Sequence, residues 1–217
     1  MAKRPEVVES HGVPLRQLAE PDQLRALAHP RRLELLDLLM AGGPLTASEC
    51  AARLGDSPAS CSYHLRQLAR YGFVEEAEGG TGRQRPWRWV PIGNRVAFGG
   101  SPAQAAAADQ FLSVLDARAV ARIAAWRSRA ASDPWREFSG SSDWTVPLTE
   151  DEARALGEAV DALLAPYLKR TLDGVRPPDS RMVDVLAFLL PRADRADQAD
   201  RADRADHADQ GDGASGA

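Results

Sequence analysis

The chain has 217 residues, 44% of them hydrophobic and 27% charged, and a formal net charge of −4. That length supports one or two domains with true cores, and no apolar run reaches the ~20 residues that cross a bilayer. The opening MAKRPEVVESHGV has no apolar stretch of the secretory type, and two cysteines make no disulfide framework, so a reduced, cytoplasmic chain is expected.

Charge is spread unevenly. Residues 22–95 hold ten arginines against eight acids, residues 96–191 ten bases against thirteen acids, and residues 192–217 four arginines against seven aspartates. The positive excess therefore sits near the front, where Arg83, Arg85, Arg88 and Arg95 follow one another with no acid between them.

Residues 1–14 are expected to lack fixed structure. Leu15, Leu18, Leu24 and Leu27 recur at helical spacing over Leu15–Ala28, with a break at Pro21 and Asp22 placed to cap the second piece. His29 precedes Pro30 and should leave the helical region, so a new helix begins at Pro30, carries LELLDLLM into the core and stops at Gly42–Gly43. Arg31 and Arg32 in its first turn either meet a phosphate beside the helix amides or stay solvated.

A short helix follows over Thr46–Leu54, where Thr46 and Glu49 form a capping box. After the tight Gly55–Asp56 connection, Ser57 caps a second helix, Pro58 suits its first position and Gly72 ends it. Cys61, Leu65 and Leu68 mark its inner face. The outer face shows Ala59, Ser60, Tyr63, Arg66, Gln67 and Arg70, with two guanidinium groups and no acid. A helix anchored on one side and polar with arginine on the other is physically suited to a DNA major groove.

Phe73–Glu78 and Arg85–Val90 are strand-like and are joined by Gly79-Gly80-Thr81-Gly82, so helix, turn, helix and hairpin follow in the order of a winged helix-turn-helix. Glu75, Glu76 and Glu78 must point away from DNA or pair with Arg83, Arg85 or Arg88. Trp87 and Trp89 share one side of their strand and are expected to pack the wing rather than stack on bases.

From Ser101 to Ala131 a long alanine-rich helix carries an apolar stripe from Phe111 to Trp126 that includes Leu115, Val120 and Ile123. The stripe needs cover, either from a second copy in a symmetric dimer or from the chain's own C-terminal part. Asp143–Leu148 and Met182–Leu190 are expected to pair as strands. Between them a helix capped by Thr149 and Glu152 runs to about Leu172, kinked or divided at Pro166. Trp126, Trp135, Phe138 and Trp144 are expected either as core or as an apolar effector pocket. The closing ADRADQADRADRADHADQGDGASGA buries nothing and is expected to be disordered.

On LRALAHPRRLELLDLL, LTASECAARLGDSPASCSYHLRQLARYGFVEE and GRQRPWRWVP, the stretch Leu24–Pro91 resembles the ArsR-type winged helix-turn-helix transcriptional regulators. The resemblance implies a DNA-binding regulator that reads a pseudo-palindromic operator as a homodimer. Ser60, Tyr63, Arg66 and Gln67 would approach base edges, with Ala59 on the same DNA-binding face, while Thr46, Ser57 and the wing arginines Arg83 and Arg85 hold phosphates. Metal-sensing relatives carry a cysteine pair in an ELCVCDL-like run. The matching positions here are Thr46 and Ser48, and Thr149–Leu172 contains no histidine, so no metal or other cofactor is expected. Cys50 and Cys61 are either small core residues or a redox pair. No Gly-x-Ser-x-Gly, phosphate-binding glycine loop or strand-plus-GxGxxG is present, and no enzyme is expected.

The expected class is mainly α (α+β). A winged helix-turn-helix domain spans 15–95, a helical or α+β dimerisation or effector domain with a small α+β unit spans 101–191, and a disordered tail spans 192–217. The alternative is a winged helix that mediates protein assembly without DNA, for which the three wing acids speak. Partners are double-stranded DNA, a second copy and an unidentified small-molecule effector, with no membrane.

Overall fold

The computed structural model describes residues 5–79, 85–97, 99–140 and 142–192. The chain divides into two units, Met1–Asp184 and Val185–Ala217.

The first unit opens with a strand hairpin, β1 (Glu6–Ser10) and β2 (Val13–Leu18). They pair antiparallel around His11–Gly12, both at positive φ, as a two-residue hairpin turn requires. This overturns two expectations: residues 6–10 are ordered strand, and Leu15–Leu18 is strand rather than helix. Four helices follow: α1 (Pro21–Leu27), α2 (Pro30–Gly42), α3 (Ala47–Leu54) and α4 (Pro58–Arg70). Glu20, not Asp22, caps α1, and its amide donates to Gln23 Oε1 at 3.3 Å. His29 caps α2, where the Arg31 amide donates to His29 Nδ1 at 3.2 Å.

The wing is β3 (Val74–Glu76) antiparallel to β4 (Trp87–Trp89), and Leu45 bridges to Trp87 on the other edge. Residues 80–84 of its tip, Arg83 among them, lie outside the described residues. Beyond the wing, β5 (Gly93–Val96) pairs parallel to β2, with Leu15 opposite Gly93 and Leu18 opposite Val96. The β1–β2–β5 sheet thus joins the segments on either side of the helix-turn-helix.

One core unites these parts. Leu18, Leu24, Leu27, Leu35, Leu65, Leu68, Phe73 and Val74 are all essentially sealed from solvent. Each such aliphatic side chain contributes ~1.5–3 kcal/mol through burial. The long helix α5 (Pro102–Arg129), capped by the Ser101 hydroxyl, sends Ala107, Ala108 and Phe111 into the same core and packs along α1. Its second half is tied to α2 by charge. Asp37 accepts from Arg118 and from Arg122 (2.9 Å), and Arg122 also reaches Asp184 at 2.6 Å.

The last helix, α6 (Glu150–Leu172), starts with Thr149 accepting from the Glu152 amide, as expected, and runs undivided through Pro166. The expected strands Asp143–Leu148 and Met182–Leu190 do not form; both stretches are irregular and exposed. Among the described residues neither is paired in a sheet, and an extended segment outside a sheet gains no ladder hydrogen bonds to fix it as a strand. Phe138 and Trp144, each 82% exposed, belong to neither a core nor a pocket. In the second unit, the described residues 185–192 form no helix or strand. The remaining tail, expected to be disordered, lies outside the described residues.

The class is mainly α with small strands: an N-terminal winged helix-turn-helix followed by a long helix.

Candidate nucleic-acid interface

The site is built on α4. Cys61, Leu65 and Leu68 are each 0% exposed and seat it on the body. At its start, Ser57 Oγ accepts from the Ser60 amide at 3.1 Å. At its end, Gly72 takes φ +74, a left-handed conformation that costs glycine little and other residues more.

The turn before α4 is braced by charge. Asp56 accepts from the Ser57 amide (2.7 Å) and the Ser60 hydroxyl (3.0 Å), and Arg31 Nε stands 3.0 Å from Asp56 Oδ2. These hydrogen bonds, from Ser57 first and Ser60 second, hold the Asp56 carboxyl below the usual carboxylate range, with Arg31 adding to them. Arg31 also donates to Glu34 (2.8 Å) and to the Leu54 carbonyl (3.3 Å). Of the two sequence readings of Arg31, neither describes this bracing of the turn. Arg32 donates to the Arg25 carbonyl at 2.7 Å.

On the outer side, Ala59, Tyr63, Arg66 and Arg70 are exposed, while Ser60 and Gln67 are half-buried. Tyr63 is 56% exposed. Arg66 lies along the helix and donates to Ser62 Oγ at 2.7 Å. Thr46 is engaged by Glu49 on both its amide and its hydroxyl, so its side chain serves the α3 cap.

The wing acids face arginines. Glu75 pairs with Arg88 at 2.6 Å and Glu76 with Arg85 at 3.2 Å. Two of the three carboxylates that would repel a duplex are therefore compensated on the strand itself. Trp87 and Trp89 are half-buried against the main core, as their alternation predicts.

Two features here escaped sequence reasoning. The His64 ring, on α4, lies 4.6 Å from the His29 ring, centroid to centroid, which joins the α2 cap to α4. Burial lowers the pKa of both; Arg32 and then Arg31 lower that of His29 further, and His29 and then Arg32 lower that of His64. The other is the Arg31–Asp56 brace. Its residues are 25 positions apart, and no local pattern links them.

Cys50 and Cys61 are free and buried, and burial pushes the Cys50 thiol up to about 11, with Cys61 adding to the shift. A thiol so placed is almost wholly protonated at neutral pH and a poor nucleophile. Among the described residues, no group of three or more His, Cys, Asp or Glu is placed to hold a metal ion. No helix among them is long and apolar enough to cross a membrane.

Residues 27–77 match a protein family described as a helix-turn-helix domain, a span that covers α2 to β3 and less than a quarter of the chain. No curated protein matches. Among solved structures, a mutant of Lactococcus lactis ZitR is 13% identical, over 64% of this chain and 73% of that one, at a TM-score of 0.26. A mutant of MepR from a multidrug-resistant S. aureus clinical isolate is 14% identical, over 68% of this chain and 86% of that one, at a TM-score of 0.27. Superpositions this loose carry no functional information. The helix-turn-helix match supports a DNA-binding transcriptional regulator.

Proposed function

We propose that the chain is a DNA-binding transcriptional regulator of the ArsR-like winged-helix type that reads a pseudo-palindromic operator as a homodimer and needs no metal. The observation that carries this reading is the two-faced state of α4: Cys61, Leu65 and Leu68 are fully enclosed, while Tyr63 stands 56% exposed on the opposite side. In this reading, residues 15–95 provide the DNA contacts and residues 101–191 the dimer or effector function. Ala59, Ser60, Tyr63, Arg66 and Gln67 face base edges, and Ser57, Arg85 and Arg83 approach phosphates. Thr46 contributes mainly by holding α3 in place.

Support for the dimer comes from the outer half of α5, where Val120 (67%) and Ile123 (37%) leave apolar surface open to a second copy. Pairing of Glu75 and Glu76 with Arg88 and Arg85 removes most of the argument for a winged helix that avoids DNA.

The test is selection of bound duplexes from a random library with the full chain, alongside light scattering of the free protein. Recovery of an inverted-repeat motif by a dimer is the expected result. A library that emerges unenriched overturns the DNA-binding reading, and a monomer at micromolar concentration overturns the homodimer.

A further inference from the structure

We infer that α6 pairs antiparallel with α6 of a second copy of the chain. This pairing presupposes the homodimer proposed above and adds to the apolar surface open on α5 a contact that fixes the direction of the two copies.

Of the 23 residues of α6 only Ala165 is buried. A helix gains most of its stability by packing an amphipathic face, and this one leaves large apolar side chains in water. Leu156 is 41% exposed, Leu163 71% and Tyr167 58%. At about 3.6 residues per turn, Glu152, Leu156, Ala159, Leu163, Tyr167 and Arg170 fall in one line along the helix, and all of them are exposed. Ala155, Ala162 and Pro166 are exposed beside that line, and short side chains let two helix axes come close. The charged residues between the ends of the line, Glu158 and Asp161, lie off it, and Asp161 is paired with Arg95 at 3.1 Å.

The two ends of the line carry opposite charge. Glu150, Asp151 and Glu152 stand in the first turn of α6, and Lys169 and Arg170 in the last. Arg170 lies over the Tyr167 ring at 5.4 Å, which sets its charge at the margin of the apolar stretch. A second copy laid antiparallel about a two-fold axis near Asp161 puts Glu152 opposite the partner's Arg170. It also puts Leu156 opposite the partner's Tyr167 and Ala159 opposite the partner's Leu163. The contact is its own complement, as a two-fold interface must be. A parallel pair would set acid on acid and base on base, and would align the helix dipoles instead of opposing them. The charged ends are solvent-exposed, so they select direction and register more than they add affinity.

The test is light scattering and oxidative cross-linking of the full chain. Leu163 is exposed in the single chain, so Leu163→Glu should halve the apparent mass while the chain still unfolds cooperatively in urea. Leu156→Cys and Tyr167→Cys together in one chain should give a disulfide-linked dimer on mild oxidation. The unaltered chain is the control, since Cys50 and Cys61 are buried. Leu156→Cys alone should not cross-link, because its two copies would stand roughly 16 Å apart along the paired helices by the rise per residue. If Leu163→Glu does not fold, the two cross-linking variants decide the matter. A native chain that is monomeric at micromolar concentration overturns this pairing together with the homodimer. A dimer that persists in Leu163→Glu, or cross-linking as complete in Leu156→Cys alone as in the double variant, overturns the pairing and leaves the homodimer standing.

Discussion

Arg31, in the first turn of α2, holds Asp56 in the turn before α4, with Nε 3.0 Å from Oδ2. The same carboxylate takes the Ser57 amide and the Ser60 hydroxyl, so one aspartate braces both the turn and the start of α4. Asp56→Ala should lower the melting temperature by a few degrees and weaken DNA affinity, although no DNA contact is assigned to Asp56. Asp56→Asn, which keeps an acceptor for the Ser57 amide, should recover part of both. Differential scanning fluorimetry and a gel shift on a selected duplex give the two readouts.

Residues on the outer face and on the wing should separate by what they change. Tyr63→Ala and Arg66→Ala should relax sequence preference by ~1–3 kcal/mol at the base pairs they face. Arg85→Ala should weaken binding to all sequences alike and reduce the salt slope by about 1. Binding measured over a salt series on cognate and scrambled duplexes distinguishes them.

The inner face carries stability. Leu65 is 0% exposed at the centre of the α4 contact. Leu65→Ala should cost ~2–5 kcal/mol, read from the urea midpoint at unchanged m-value.

Acid should loosen the seat of α4 before it protonates the carboxylates. Burial and neighbouring positive charge lower the pKa of His29 and His64 from the ordinary value of 6.5. The folded state therefore binds these protons more weakly than the unfolded chain does. Their stability is complete above 6.5 and is lost as pH falls through it toward the lower folded values. Asp56 and Glu49 behave alike at lower pH. Their depressed carboxyls contribute stability that is lost as pH falls below the ordinary values of 3.8 and 4.5. Urea midpoints across the acid range should show two separate declines. His64→Gln should reduce the upper one and leave the lower one in place.

Much of the helix-turn-helix was legible because its signals are local. Thr46 and Glu49, Ser57 and Pro58, and Gly72 sit where caps and stops must be, and Cys61, Leu65 and Leu68 share one face at helical spacing. The N-terminal strand was not legible, because Leu15 and Leu18 are as compatible with a helix as with a strand. What decides the matter is β5, far along the chain. The opposite error occurred at Asp143–Leu148, where an alternating pattern was read as a strand although the stretch joins no sheet among the described residues. The outer face of α4 could be nominated residue by residue. The brace from Arg31 and the contact between His29 and His64 could not, since each joins side chains that only the folded chain brings together.

The parallel pairing of β2 with β5 also bears on how the protein is made. Leu15 meets Gly93, 78 positions further on, so the whole winged helix-turn-helix head is a loop whose two ends close on each other. On a ribosome β2 must wait for β5, and the β1–β2 hairpin and helices built from near neighbours can assemble before that clasp shuts. Trimming the first eighteen residues would therefore remove the anchor at one end of the head, a heavier loss than a frayed terminus.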